Sequence, residues 1–320
     1  MAPQAEERAL LAIVRRLLGG DAPAEKVTSP ALVELLRRHH LRPLAHSLGT
    51  AGLVEASQEC SLLAAFHHKL LTSVGADFAA REIRWSVIKG AAYAWSLYEE
   101  PGLRPMSDVD LLVEQAEFER ACECLLEAGF VERGVSKRTR HAQTFFRADH
   151  EIVDLHRSIL QPLRSNSQMA GVWRRVKGSD AFPGYVELDK LDLCCVHVAH
   201  MARHELVVPL VSYVDLHRLV ASLSQAQSSR LPAALREWRL ELAFEAATEL
   251  TSSLAGGPGS RSLRMRLVLP TVEELAIGAH HSRATQLAKK LALFPKDSLA
   301  LSLGWAARSA EDQLMRFRSR

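Results

Sequence analysis

The run Arg104-Pro105-Met106-Ser107-Asp108-Val109-Asp110-Leu111-Leu112-Val113 constrains this chain more than any other stretch. Its Pro-Met-Ser lead-in stops any helix arriving from the N-terminal side. The apolar and β-branched residues that follow predict a buried strand with Asp108 and Asp110 at its opening. Side chains alternate along a strand, so acids two positions apart point to one face. Two carboxylates held side by side repel unless one takes up a proton or a cation sits between them. The run is therefore either a polar strand end or part of a divalent-metal site, and its neighbours bear on which.

Upstream, Arg84-Trp85-Ser86-Val87-Ile88 predicts a short strand, and Lys89-Gly90-Ala91-Ala92 opens a helix that runs to about Tyr98. A glycine lets backbone come close to phosphate oxygens, and the free N–H groups of a first helical turn attract anions. Lys89 adds a positive charge there. A tight strand-to-helix turn with a solvated lysine is the alternative.

Downstream, Gln143–Ala148 and Glu151–His156 read as two strands around a two-residue hairpin turn, Asp149-His150. In the second strand Ile152, Asp154 and His156 share a face. An acid in mid-strand is costly to bury unpaired. Beside the Asp108 strand, Asp154 becomes a third carboxylate of one centre; on an edge strand it faces water.

This ordered set of strand-Gly-helix, Asp-x-Asp and later lone Asp resembles the nucleotidyltransferase superfamily of the polymerase-β type. More narrowly, Lys89-Gly90-Ala91 followed by the Arg104–Val113 run is similar to a family of bacterial nucleotidyltransferase proteins, over roughly residues 30 to 220. The resemblance implies an α+β fold: a small mixed β-sheet nucleotidyltransferase core with N-terminal helices and a C-terminal helical domain. It also implies that Asp108, Asp110 and Asp154 are the catalytic, metal-binding acids, with Asp154 as candidate general base, and that the metal is Mg²⁺ or Mn²⁺. Lys89, Gly90, Ala91, Arg104 and Ser107 become the candidate nucleotide-binding residues. Ala91 stands where the wider superfamily carries a phosphate-contacting serine, and the spacer from Gly90 to Asp108 is longer than in the general pattern. Lys89, Ser107 or Arg104 are then the groups left to hold the triphosphate.

The implied reaction moves a nucleoside monophosphate from a triphosphate such as ATP to an acceptor, which is a small molecule, a protein or an RNA. A catalytically inactive binding or regulatory protein with the same fold is the alternative, and Ala91 is the residue that favours it. Retaining three clustered acids without a metal to hold would be an electrostatic burden, which speaks against it.

On either side of this core the pattern is helical. Leu10, Leu11, Val14, Leu17 and Leu18 recur at helical spacing, Thr28-Ser29-Pro30 is a helix start, and a third helix spans about Gln58 to Ala80. A helix from Phe118 to Ala128 ends at Gly129. Helices resume near residue 166, with Gly256-Gly257-Pro258-Gly259-Ser260 as a linker and Pro295 as a break. The expected units are an N-terminal helical region 1–80, a catalytic core 81–160 and a C-terminal helical domain 161–320. His197 and His200, with His204, follow one helical stripe, and Asp215 lies on the next helix. These residues tie helices together, line a substrate cleft with His156, or form a zinc site.

A net charge of +3 gives no argument for a nucleic-acid partner, and the arginines at 261, 264, 266, 308, 316, 318 and 320 suit solvated helix faces as well as an RNA surface. Five cysteines without a Cys-x-x-Cys pattern point to reduced thiols. The chain shows no apolar run of membrane-spanning length and no basic-then-apolar leader, so a cytoplasmic location without a membrane partner is expected.

Overall fold

The computed structural model describes residues 5–24, 29–132, 142–147, 151–159, 166–258 and 269–277. The expected turn at Asp149-His150, the Gly259-Ser260 end of the linker, Pro295 and the C-terminal arginines lie outside them. Among the described residues, twelve α-helices accompany a five-stranded mixed sheet, so the architecture is α+β.

Four helices come first: α1 (Ala5–Leu17), α2 (Pro30–Arg38), α3 (Arg42–Ser47) and α4 (Val54–Ala79). Ser29 caps α2 by accepting the Leu32 N–H at 3.1 Å, with Pro30 in the first turn where its missing N–H costs nothing. Helix α4 starts four residues before the position expected, at a Leu53 that offers no side-chain cap. Gly75 on α4 faces Trp85, and a Cβ there would come within 2.7 Å of Trp85 Cζ2. The missing side chain therefore lets α4 lie against the first strand.

The sheet is built from β1 (Trp85–Ile88), β2 (Val109–Val113), β3 (Val131–Glu132), β4 (Ala142–Phe146) and β5 (Ile152–His156), in the order β1-β2-β5-β4-β3. Helix α5 (Lys89–Ser96) follows β1 directly, and α6 (Phe118–Glu127) follows β2. Gly129 ends α6 with φ +85°, where a residue bearing a side chain would be strained. Strand β2 is buried along its whole length between antiparallel β1 and parallel β5. Parallel pairing sets Asp110 opposite Asp154 and Leu112 opposite His156. β4 runs antiparallel to both β5 and β3.

Helices α7 (Asn166–Arg175), α8 (Lys190–Arg203), α9 (Val211–Ala221), α10 (Gln225–Trp238), α11 (Glu241–Leu254) and α12 (Val272–Ile277) complete the described chain. A two-stranded sheet of β6 (Lys177–Gly178) and β7 (Val186–Glu187) precedes α8. Helix α8 packs against α9, α10 and α11 and also touches α5, while α1 reaches α11 and α12. The buried apolar residues from Ala9 to Ala276 form one connected cluster. No helix among the described residues is long and apolar enough to cross a membrane.

Candidate metal centre

Asp110 sits on β2, an inner strand of the sheet, 6% exposed, and its polar partners come from α5 and β5. Lys89 Nζ donates to its Oδ1 from the start of α5. His156 Nε2 lies 2.9 Å from the same oxygen, from β5. Asp154 stands opposite on β5, and its Oδ1 accepts the Thr144 hydroxyl at 2.6 Å. Among the described residues, Asp110, Asp154 and His156 form the group whose ligand atoms lie within 4.8 Å of one another. Asp108 lies outside that group, just before β2, half-buried, with Ser107 Oγ donating to its carboxylate at 3.0 Å.

The charges make the site uneven. Burial, then the negative charges of Asp110 and Asp154, push the Asp108 carboxyl up to about 6 against the pull of Ser107 and Lys89. Burial acts on Asp110 in the same direction, but Lys89 and His156 outweigh it and hold that carboxyl well below the usual carboxylate range. The Lys89 ammonium is committed to Asp110, and the uncompensated negative charge falls on Asp108. A divalent cation would neutralise that charge. Carboxylate oxygens suit Mg²⁺ or Mn²⁺, and the imidazole of His156 would add one nitrogen donor beside them. The donor set therefore fits a divalent metal.

The other sequence-expected residues are dispersed. Gly90 lies under the motif loop: a Cβ there would stand 3.2 Å from Met106 Cγ and 3.6 Å from Arg104 Nη1. Ala91 is buried in the core, while Ser107 is exposed beside Asp108. The Arg104 guanidinium is committed to Asp215, with Nη2 2.8 Å from Oδ2 and Nε within 3.0 Å of both oxygens. Tyr98 donates its hydroxyl to Asp215 Oδ1 at 2.6 Å.

On α8, His197 is buried edge-on against Tyr93, and its Nε2 lies 2.8 Å from the Ser212 carbonyl on α9. It ties two helices together. His200 is partly exposed, its ring 4.7 Å from that of His204. Burial, then the charges of Lys89 and His204, hold the His200 imidazole well below its ordinary pKa. This stripe contributes nothing to the metal-capable group among the described residues.

Sequence reasoning placed His156 on the Asp154 face of its strand but gave it to a substrate cleft. The two-residue spacing was the signal that it accompanies Asp154. The contact between Lys89 and Asp110 had no signal, because it depends on β1 and β2 pairing with Ile88 opposite Asp110.

An α+β protein with paired acids in register on two adjacent parallel strands, and a lysine at the neighbouring strand-to-helix junction, is the class that the fold and site define. A family model described as an uncharacterised nucleotidyltransferase matches residues 25–256, more than two thirds of the chain. The chain belongs to that nucleotidyltransferase family. No curated protein matches it.

Proposed function

We propose that the protein is a divalent-metal-dependent nucleotidyltransferase that moves a nucleoside monophosphate from a nucleoside triphosphate to a small molecule, a protein side chain or an RNA end. The observation that carries this reading is the register of Asp110 against Asp154, with His156 two residues further along the same strand. Asp110, Asp154 and Asp108 would hold Mg²⁺ or Mn²⁺, with His156 as a further donor. A bound divalent ion would neutralise triphosphate charge and acidify the attacking group.

The chain's own groups have distinct tasks. The acceptor's oxygen or nitrogen bonds to the α-phosphorus, the bond to the β-phosphate oxygen breaks, and pyrophosphate leaves. Asp154 takes the acceptor's proton, and Thr144 holds that carboxylate in place by the hydrogen bond at 2.6 Å. Lys89 and Ser107 face the phosphates. Arg104 and Asp215 position the motif loop rather than touching the nucleotide. His200, on the exposed part of its stripe, lines the acceptor side.

Incubation with each of the four triphosphates labelled at the α-phosphate, with Mg²⁺ or Mn²⁺ and a cell extract, tests the reading. Label on protein, RNA or small molecules, lost in Asp110→Asn, is the expected result. No transfer of α-label from any triphosphate, with γ-labelled triphosphate in a parallel incubation giving transfer or not, would overturn it.

A further inference from the structure

Lys89 is the residue at which backbone and side-chain observations converge. Its φ is +55°, a left-handed conformation in which a residue with a side chain is strained. Strain of this kind persists where surrounding structure imposes it, and it clusters at functional sites. The conformation comes with the ammonium against Asp110 Oδ1 and 3.5 Å from His156 Nε2.

These contacts exclude one another's alternatives. An ammonium offers only donors, and a ring nitrogen that gives its proton to Asp110 cannot also accept one from Lys89. The 2.9 Å contact to Asp110 therefore engages His156 Nε2, and Lys89 stands beside the ring as a charge. His156, one of the three metal-capable groups, thus shares with Lys89 the single oxygen Asp110 Oδ1.

We infer that Lys89 is an internal counter-ion that takes the place of the metal at Asp110 and His156 until a triphosphate draws its ammonium away. This rests on the proposed metal-dependent transfer, and it adds an order to it. A cation arriving alone must displace the ammonium from a buried carboxylate and separate His156 from Asp110. A cation arriving with a triphosphate meets less opposition, because the phosphate oxygens give the ammonium another anionic partner. Metal and nucleotide affinities are then coupled through one side chain, and coupling of this kind is reciprocal. Lys89 balances the charge of Asp110 itself, so a cation gains more at that carboxylate once the ammonium has been drawn to phosphate.

Direct Mn²⁺ binding without nucleotide, followed by electron paramagnetic resonance of the free ion at fixed pH, reads this coupling. The measurement is made on the wild type, Lys89→Met and Lys89→Gly, and repeated with a non-hydrolysable triphosphate. Lys89→Met keeps the aliphatic stem, whereas Lys89→Gly also relieves the left-handed backbone, so one variant remains informative if the other folds poorly. The expected result is at least tenfold tighter Mn²⁺ binding in the folded variants without nucleotide, and a smaller gain on adding the triphosphate than in the wild type. Equal or weaker Mn²⁺ binding in the variants, with Mn²⁺ still bound by the wild type, overturns the counter-ion role and leaves the proposed transferase standing. Absence of Mn²⁺ binding in all three proteins, with and without triphosphate, overturns both.

Discussion

Arg104 and Asp215, separated by 111 residues, meet in a buried ion pair that joins the loop before β2 to helix α9. Asp215 is fully buried, and the Arg104 side chain is 11% exposed. Its fork matches the carboxylate, and Nη1 also donates to the Pro105 carbonyl at 2.7 Å. The arginine that opens the motif thus anchors the backbone leading to Asp108. Removing one partner leaves a buried charge alone, so Arg104→Ala and Asp215→Ala should each cost about 3–5 kcal/mol of stability in urea unfolding. Arg104→Lys should recover only part, because an ammonium cannot reproduce the fork. Wild-type stability in Asp215→Ala would show that the pair does not anchor the loop.

Thr144→Val should weaken metal binding while leaving stability little changed. The hydroxyl fixes the Asp154 carboxylate, and losing such an orienting partner typically reduces metal affinity about 10–100-fold. Mn²⁺ titration of the variant in the presence of a non-hydrolysable triphosphate checks this. Unaltered affinity would remove Asp154 from the set of ligands.

Asp108→Asn should abolish transfer yet leave the metal-free protein at least as stable as the wild type at neutral pH. The carboxylate there is opposed by burial and by Asp110 and Asp154, and the amide relieves that opposition without changing size. Urea midpoints measured in the presence of a chelator decide it. A clearly less stable variant would mean that the Asp108 charge is already compensated in the folded protein.

His39 provides a pH dependence away from the candidate metal centre. Its Nδ1 accepts the Leu210 N–H at 3.2 Å, which leaves Nε2 to donate to the Ala276 carbonyl at 2.8 Å. Burial, aided by the charge of Arg38 and opposed by the Ala276 contact, lowers its pKa below the ordinary 6.5. A depressed histidine contributes stability that is complete above pH 6.5 and lost as pH falls through the folded value. His39→Gln should therefore be less stable at pH 7 and show a flatter decline towards pH 5 in urea unfolding. A decline as steep as that of the wild type would assign the acid sensitivity to other groups.

The α+β core was legible because its signals are local. Period-two alternation placed Asp154 and His156 on one face, and the Pro-Met-Ser lead-in fixed where β2 begins. Ser29-Pro30 and Gly129 marked helix ends through chemistry that acts within a few residues. The two-residue strands β3, β6 and β7 are too short to show a period. The direction of Arg104 was not readable, since its partner arrives only when α9 docks. The engagement of Lys89 likewise depends on a strand order that brings β1, β2 and β5 side by side from distant parts of the chain.

Crystals grown with Mn²⁺ and a non-hydrolysable triphosphate, measured at the manganese absorption edge, locate the metal directly. The expected anomalous peak lies between the Asp110 and Asp154 carboxylates, within coordination distance of an oxygen of each, with the triphosphate beside it. Triphosphate in the cleft with manganese bound elsewhere, or with no manganese at these two aspartates, would contradict the metal-centre assignment.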